Sequence, residues 1–305
     1  MYYPIFKAKR HELNTLFDLA PILPAAKYRP VIEPVNAKCK QLIATIEQLH
    51  SNSVSPLVVI NPSQGHFAKN SSAGLFGQLQ ADPKSANKFI PCIKVKDAAD
   101  NAALSLLASY PNAAIYLEND IGVGSLSILN GASCVLLNQQ KVDDSIVDQL
   151  NNVVVYSDSF AKKKRNADYA SKSFYSGLHV SYKKKSNVSG FGDFTIMGEE
   201  YLDSGGPAYV VAIHVSYIDK AAPNSMHVHH YCSTVDDKLP TNAGSKYKEA
   251  LVKMFTFIAA NPTVYDNTLG LSEFRASHSV MHFPGLGLVK EMSMKHHVES
   301  ICNYI

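Results

Sequence analysis

The chain has 305 residues, 46% of them apolar, and a formal net charge of +3. That length buries a sizeable core as one large domain or two ordinary ones, and so small a charge gives no argument by itself for nucleic acid or a membrane surface as a partner. Five isolated cysteines (Cys39, Cys92, Cys134, Cys232 and Cys302) with no CxxC pair point to buried thiols in a reduced, cytoplasmic chain, and no stretch reads as a signal peptide or approaches the roughly 18 apolar positions of a membrane span.

Taken in order, short apolar runs alternate with helix-length amphipathic segments. The runs fall at residues 3–8, 30–35, 57–61, 89–95, 113–118, 133–138, 152–157 and 208–217. Helical patterns lie between them at 36–50, 97–110 and 144–150; in the first of these Leu42, Ile43, Ile46 and Leu49 share one face. Eight strands with helical crossovers predict an α/β fold, a (β/α)8 TIM-like barrel, and an open doubly wound sheet uses the same alternation. Residues 159–206, rich in Lys, Ser, Gly and Tyr, break the beat and read as a long insertion or lid ahead of the last strand, inside a single barrel-like domain spanning 1–305. Residues 207–232 form an apolar strand, a turn at Asp219, Pro223 and Asn224, and a returning His-rich strand: a β-hairpin. Helices at 245–260 and 288–304 close the chain.

In such a barrel the residues at or just past the strand ends carry function. Here they are Lys7, Lys9, Glu33, Asn61, Lys94, Glu118, Asp120, Asn138, Asp158 and His214. Strands also end in polar residues because they reach water, so the set argues more strongly than its members. Glu33, set in the apolar run PVIEPV, must be paired or desolvated, and Lys7, Lys9, Arg10 and Lys94 are its candidate partners. Amines and carboxylates around one mouth suit an anionic ligand and a general acid or base, and they equally suit a structural ion-pair network. His227 and His229 have the H-x-H spacing that can share a metal, but no Cys or carboxylate ligand accompanies them, so no metal is assigned. Gly190-Phe191-Gly192 and Gly285-Leu286-Gly287 are glycine-rich without a nucleotide-binding fingerprint. Two basic runs, Lys162 to Arg165 and Lys183 to Lys185, interleave with Tyr169, Phe174, Tyr175 and Tyr182, a pattern that solvated loops and nucleic-acid surfaces share.

Several segments taken together, MYYPIFKAKRHEL, RPVIEPV, VINPSQG, GFGDFTIMGEEYLDSGG, PAYVVAIHVSY followed by HVHHYCS, and FPGLGLVKEMSMKHH, resemble the Beta-protein family of bacteria and phage, in its uncharacterised bacterial branch. The resemblance spans nearly the whole chain in the same order. It implies a single barrel-like domain and a link to phage defence, supplies no catalytic set or cofactor, and draws attention to Glu12, Glu33, Asn61, Asp193 and His214. Two functional readings follow. One is an enzyme acting at the barrel mouth on a phosphate-containing or other anionic small molecule or nucleotide, with Glu33 or Asp193 as base, His214 as acid, Lys7, Lys9 and Lys94 as charge stabilisers, and Asn61, Glu118 and Asp158 as further ligand contacts. The other is a non-catalytic protein that partners a nuclease or other effector, or binds nucleic acid.

Overall fold

Eight parallel strands close on themselves: β1 (Tyr2–Phe6), β2 (Val31–Ile32), β3 (Leu57–Val59), β4 (Ile90–Val95), β5 (Ala114–Leu117), β6 (Val135–Asn138), β7 (Val153–Ser157) and β9 (Val188–Asp193), with β9 pairing β7 on one side and β1 on the other. Helices on the outside make it the expected (β/α)8 barrel. The structure, a computed structural model, describes all residues except 130, 204, 205, 207, 222, 235–238 and 240. It divides the chain into two compact units: Met1–Asp158 with Leu178–Phe194, and Ser159–Gly177 with Thr195–Ile305.

Side chains alternate across each barrel strand. Tyr3, Ile5, Val31, Leu57, Val59, Cys92, Ala114, Tyr116, Cys134, Leu136, Val154, Tyr156 and Phe194 pack together as the barrel interior. The intervening residues, among them Phe6, Ile32, Val58, Ile93, Leu117, Leu137 and Val155, are also buried, beneath the outer layer. That double burial is why the strands read as continuous apolar runs. Outside lie α1 (Arg10–Leu19), α2 (Lys40–Ser51), α3 (Leu75–Ala81), α4 (Asn101–Ser109) and α5 (Asp144–Val147). α1 and α2 turn Leu13, Leu16 and Leu19, and Leu42, Ile43, Ile46 and Leu49, inward. Asp100 caps α4 by accepting the Ala103 N–H at 3.1 Å.

The closing strand is not residues 208–217, as the alternation suggested, but β9 within the expected insertion. The reason is steric. Tyr3 fills the interior beside β9, and a Cβ at Gly190 would lie 2.5 Å from its ring and 2.6 Å from the Met1 carbonyl oxygen. At Gly192 a Cβ would lie 2.5 Å from the Tyr3 carbonyl oxygen. Two inward-facing glycines therefore admit this strand, whereas 208–217 carries a side chain at every position. The Gly190-Phe191-Gly192 motif is thus part of barrel closure. Residues 178–194 belong to the barrel unit, with the short α6 (Leu178–Ser181) leading in. Of the rest of the expected insertion, 159–177 and 195–206 belong to the second unit, with 204 and 205 outside the described residues.

In the second unit β8 (Lys172–Ser176), β10 (Ala212–Ile218) and β11 (Met226–Cys232) form an antiparallel sheet in the order β10-β11-β8. β10 and β11 are the two arms of the expected hairpin. One face, bearing Ile213, Val215, Tyr217 and Tyr231, packs on Tyr247, Leu251 and Met254 of α7 (Ala243–Ala260). From the other face Ser216 meets two histidines of α9 (Leu286–Tyr304). α8 (Leu269–Ser279) lies so close to α9 that a Cβ at Gly270 would collide with the Met292 carbonyl and the His296 nitrogen. Gly285 (φ 96°) precedes α9 in a backbone conformation that favours glycine, so Gly285-Leu286-Gly287 is a helix-entry turn. Among the described residues, no helix is long and apolar enough to cross a membrane.

Candidate functional site

Each inward-facing barrel residue is followed two positions later by the next inward position. Past Ile5, Val31, Val59, Cys92, Tyr116, Leu136 and Tyr156 these positions are Lys7, Glu33, Asn61, Lys94, Glu118, Asn138 and Asp158, and past Gly192 of β9 the position is Phe194. The barrel therefore ends, on the side where this fold holds its active sites, in a ring of seven polar residues and one phenylalanine. The ladder continues up to them: the N–H of Glu33 donates to Phe6 O at 2.8 Å and that of Glu118 to Val95 O at 3.0 Å. Pro34, which has no N–H to give, follows Glu33 at once and β2 goes no further.

Glu33 holds the ring together. Its two carboxylate oxygens engage different ammonium groups, Lys7 Nζ at 3.0 Å and Lys94 Nζ at 2.9 Å, and all three residues are buried. Lys94 also reaches Glu118 at 2.6 Å, whose side chain is 29% exposed. Asn61 fixes the Lys94 backbone from both sides: its amide donates to Lys94 O and its carbonyl accepts the Lys94 N–H, each at 2.8 Å. The Lys7 backbone N–H donates to the buried carboxylate of Glu12 in α1. Beneath the charges are aromatic faces, Phe194 at 5.5 Å from Lys7 Nζ and Tyr116 at 5.5 Å from Lys94 Nζ. Burial works against an ionised Glu33, but the ammoniums of Lys94 and Lys7 outweigh it and hold its pKa below the ordinary value. Burial likewise opposes charge on Lys94, and Glu33 and Glu118 overcome it, raising its pKa. Lys94 is therefore a cation at neutral pH, suited to electrostatic stabilisation and unsuited to attack as a free amine.

The other predicted residues divide. Asn138 is fully buried; its side-chain oxygen accepts the Gln140 N–H at 2.9 Å, while its Nδ2 makes no hydrogen bond among the described residues. Asp158 is half-buried at its inward position. Lys9 leaves the ring, because Ala8 (φ 50°) turns the chain and makes Lys9 the N-cap residue of α1. Asp120 organises a loop, accepting the N–H groups of Gly122 and Asp143. Asp193 is not brought to Glu33: it faces outward from β9, where the Tyr2 hydroxyl donates to it at 2.7 Å beside the stacked rings of Tyr2 and Phe191. Phe194 and Tyr116, whose rings face the two ammonium groups, were missed by a search for polar strand ends.

His214 is on β10, a strand of the second unit and not of the barrel, so it is not a member of the ring. Its Nδ1 lies 2.7 Å from Nδ1 of its register partner His230. Burial, and then His230 and Lys290, push its pKa down to about 3. His227 and His229 share a face, yet both lean on the Tyr217 ring and His229 Nδ1 is 2.6 Å from the Tyr265 hydroxyl. Among the described residues no group of three or more His, Cys, Asp or Glu is placed to hold a metal ion.

Compared with protein-family models, curated proteins and solved structures, the chain matches none. The site therefore rests on its own geometry. The two basic runs belong to different units, Lys162 to Arg165 to the second and Lys183 to Lys185 to the barrel. Lys162 pairs with Glu200, Arg165 with Asp168, and Lys185 with Asp144 and Asp148. Their interleaved aromatics are mostly committed: Tyr175 and Tyr182 are buried and Tyr169 stacks on His230, leaving Phe174 exposed. An apolar pocket of about 360 Å³ opens on the outside of the barrel between Leu104, Leu107, Pro111 and Ile128, and among the described residues no titratable side chain lines it.

Proposed function

We propose that the barrel unit is an enzyme acting at the carboxy-terminal mouth on a small anionic molecule, a phosphate-bearing metabolite or nucleotide. The observation that carries this reading is the ring itself: two buried lysines bridged by Glu33, with the Asn138 amide in the same ring and without an acceptor among the described residues. A buried donor left without an acceptor costs about 1–3 kcal/mol. A ligand oxygen would satisfy it. In this reading Lys7 and Lys94 neutralise the substrate's charge and Glu33 fixes both ammoniums. Glu118, the more exposed of the two acids on Lys94, gives way to the incoming anion. Acid–base work falls to Glu118, since Glu33 is buried with both oxygens on ammonium groups, Asp193 faces the outer layer and His214 is not on a barrel strand.

A second reading, a non-catalytic partner of an effector protein, draws on the mutual neutralisation of Lys7, Glu33, Lys94 and Glu118. The resemblance to the Beta-protein family supports a place in phage defence under either reading. The two separate on a variant that removes the buried charges together, Lys7→Met, Glu33→Leu and Lys94→Met. Calorimetric titration with inorganic phosphate and with a nucleoside monophosphate is expected to show saturable binding to the natural protein and none to the folded triple variant. Equal binding by both, or binding by neither, would overturn the enzyme reading.

A further inference from the structure

The second unit holds a cluster that the barrel chemistry does not use. On the sheet face that carries Ser216, three neighbouring strands each contribute one reactive side chain: Ser173 from β8, His230 from β11 and His214 from β10. Ser173 Oγ lies 2.8 Å from His230 Nε2, and His230 Nδ1 lies 2.7 Å from His214 Nδ1. We propose that these residues form a second reactive centre, a serine nucleophile with a two-histidine base, that accepts the acyl group of a small carboxylic ester.

Proton bookkeeping carries the argument. Two neutral imidazoles meeting through their Nδ1 atoms share one proton, so one donates and the other accepts. When His230 donates to His214, its Nε2 is bare and faces the Ser173 hydroxyl as an acceptor. This is the nucleophile, base and orienter arrangement of a serine triad, with His214 where a carboxylate more often stands. The backbone ladders of the sheet hold all three residues, and a site on paired strands is more rigid than one on loops. Tyr169 stacks on His230 with ring centroids 4.5 Å apart, and Phe160 packs edge-on against His214 at 5.2 Å. These rings fix the imidazole planes and make an apolar wall that suits an uncharged acyl group. Ser173 itself is half-buried on the edge strand.

In the reaction Ser173 Oγ bonds to the ester carbonyl carbon while its proton passes to His230 Nε2. Collapse of the tetrahedral adduct breaks the bond to the leaving alkoxide, which takes that proton. Water then repeats the sequence and releases the carboxylic acid. Burial, with His229 and Lys163 contributing, lowers the His230 pKa to about 4, so the base is unprotonated at neutral pH. A neutral His214 stabilises the resulting imidazolium less than a carboxylate would, so a single acylation event is the step to measure.

The test incubates the full chain with a fluorophosphonate and separately with p-nitrophenyl acetate, reading intact mass, peptide map and p-nitrophenol release. One adduct on Ser173 is expected. It should be lost in Ser173→Ala, and in His230→Phe it should form more slowly by a factor of about 10² or more, the range that general-base assistance supplies. Ser173→Cys serves if the alanine variant misfolds: its new thiol should take up iodoacetamide faster than the five natural cysteines. A folded natural protein that stays unmodified, an adduct on another residue, or equal labelling of Ser173→Ala would overturn the proposal.

Discussion

Replacing Glu33 by Gln changes almost no volume, so no cavity forms; it removes one negative charge and turns an acceptor oxygen into a donor nitrogen. Glu33 is 2% exposed and each of its oxygens touches a different ammonium. Lys94 keeps Glu118 at 2.6 Å after the change. Lys7, 8% exposed, loses the carboxylate that neutralises its Nζ. Leaving one buried charge uncompensated costs about 3–5 kcal/mol, a large part of the roughly 5–15 kcal/mol that holds a typical protein folded. Removing the stranded charge as well should restore most of this, so Lys7→Met with Glu33→Gln is expected within about 2 kcal/mol of the natural protein, a coupling well beyond independent sites. Urea unfolding followed by circular dichroism gives the free energies, and amide exchange in β1, β2 and β4 assigns the loss to the barrel unit. A cost below about 1 kcal/mol for Glu33→Gln, or additive effects in the pair, would refute the argument that burial makes this ion network interdependent.

The second unit should lose stability in mild acid. His296 is fully buried; its Nε2 donates to the Ser216 carbonyl at 2.9 Å, so its Nδ1 must accept the Thr268 hydroxyl at 2.7 Å. Burial lowers its pKa from 6.5 to about 4. The unfolded chain then binds the proton first, and stability is complete above pH 6.5 and declines as pH falls toward 4, by about 3 kcal/mol for this residue. Urea melts at pH 7 and pH 5 should differ by about 2 kcal/mol from His296 alone, and an unchanged midpoint for the second unit would contradict this. Gly192→Ala should destabilise the barrel by about 3 kcal/mol or prevent its folding, because its Cβ would meet the Tyr3 backbone; a thermal midpoint unchanged from the natural protein would count against β9 as the closing strand. Thr268→Ala removes the cap that accepts the Leu271 N–H at 3.2 Å and strands His296 Nδ1, for an expected loss of about 2–3 kcal/mol, measurable in the same melts.

Much of the candidate site was legible before the fold was known. Lys7, Glu33, Asn61, Lys94, Glu118, Asn138 and Asp158 each follow an apolar run at the position where a barrel strand must end, and the closed sheet then shows that they share its inward face. Asp193 was misread because residues 159–206 looked like a lid, whereas 188–193 form the closing strand β9, on which Asp193 takes an outward position. His214 was misread for a different reason. A run such as 208–217 looks the same whether it pairs parallel in a barrel or antiparallel in a separate sheet, since both are buried on two sides.

By itself the sequence determined the alternation of strands and helices, seven of the eight barrel strands, and the polar caps on those seven, because local periodicity and turn chemistry are written residue by residue. Which strand closes the barrel was decided only in three dimensions, where the volume of Tyr3 admits glycines beside it and excludes larger side chains. The pairing of Glu33 with both Lys7 and Lys94, 26 and 61 residues away along the chain, and the meeting of Ser173 with His230 and His214, were decided there too. Such contacts arise from the closure of sheets across long stretches of chain, and no local pattern encodes them.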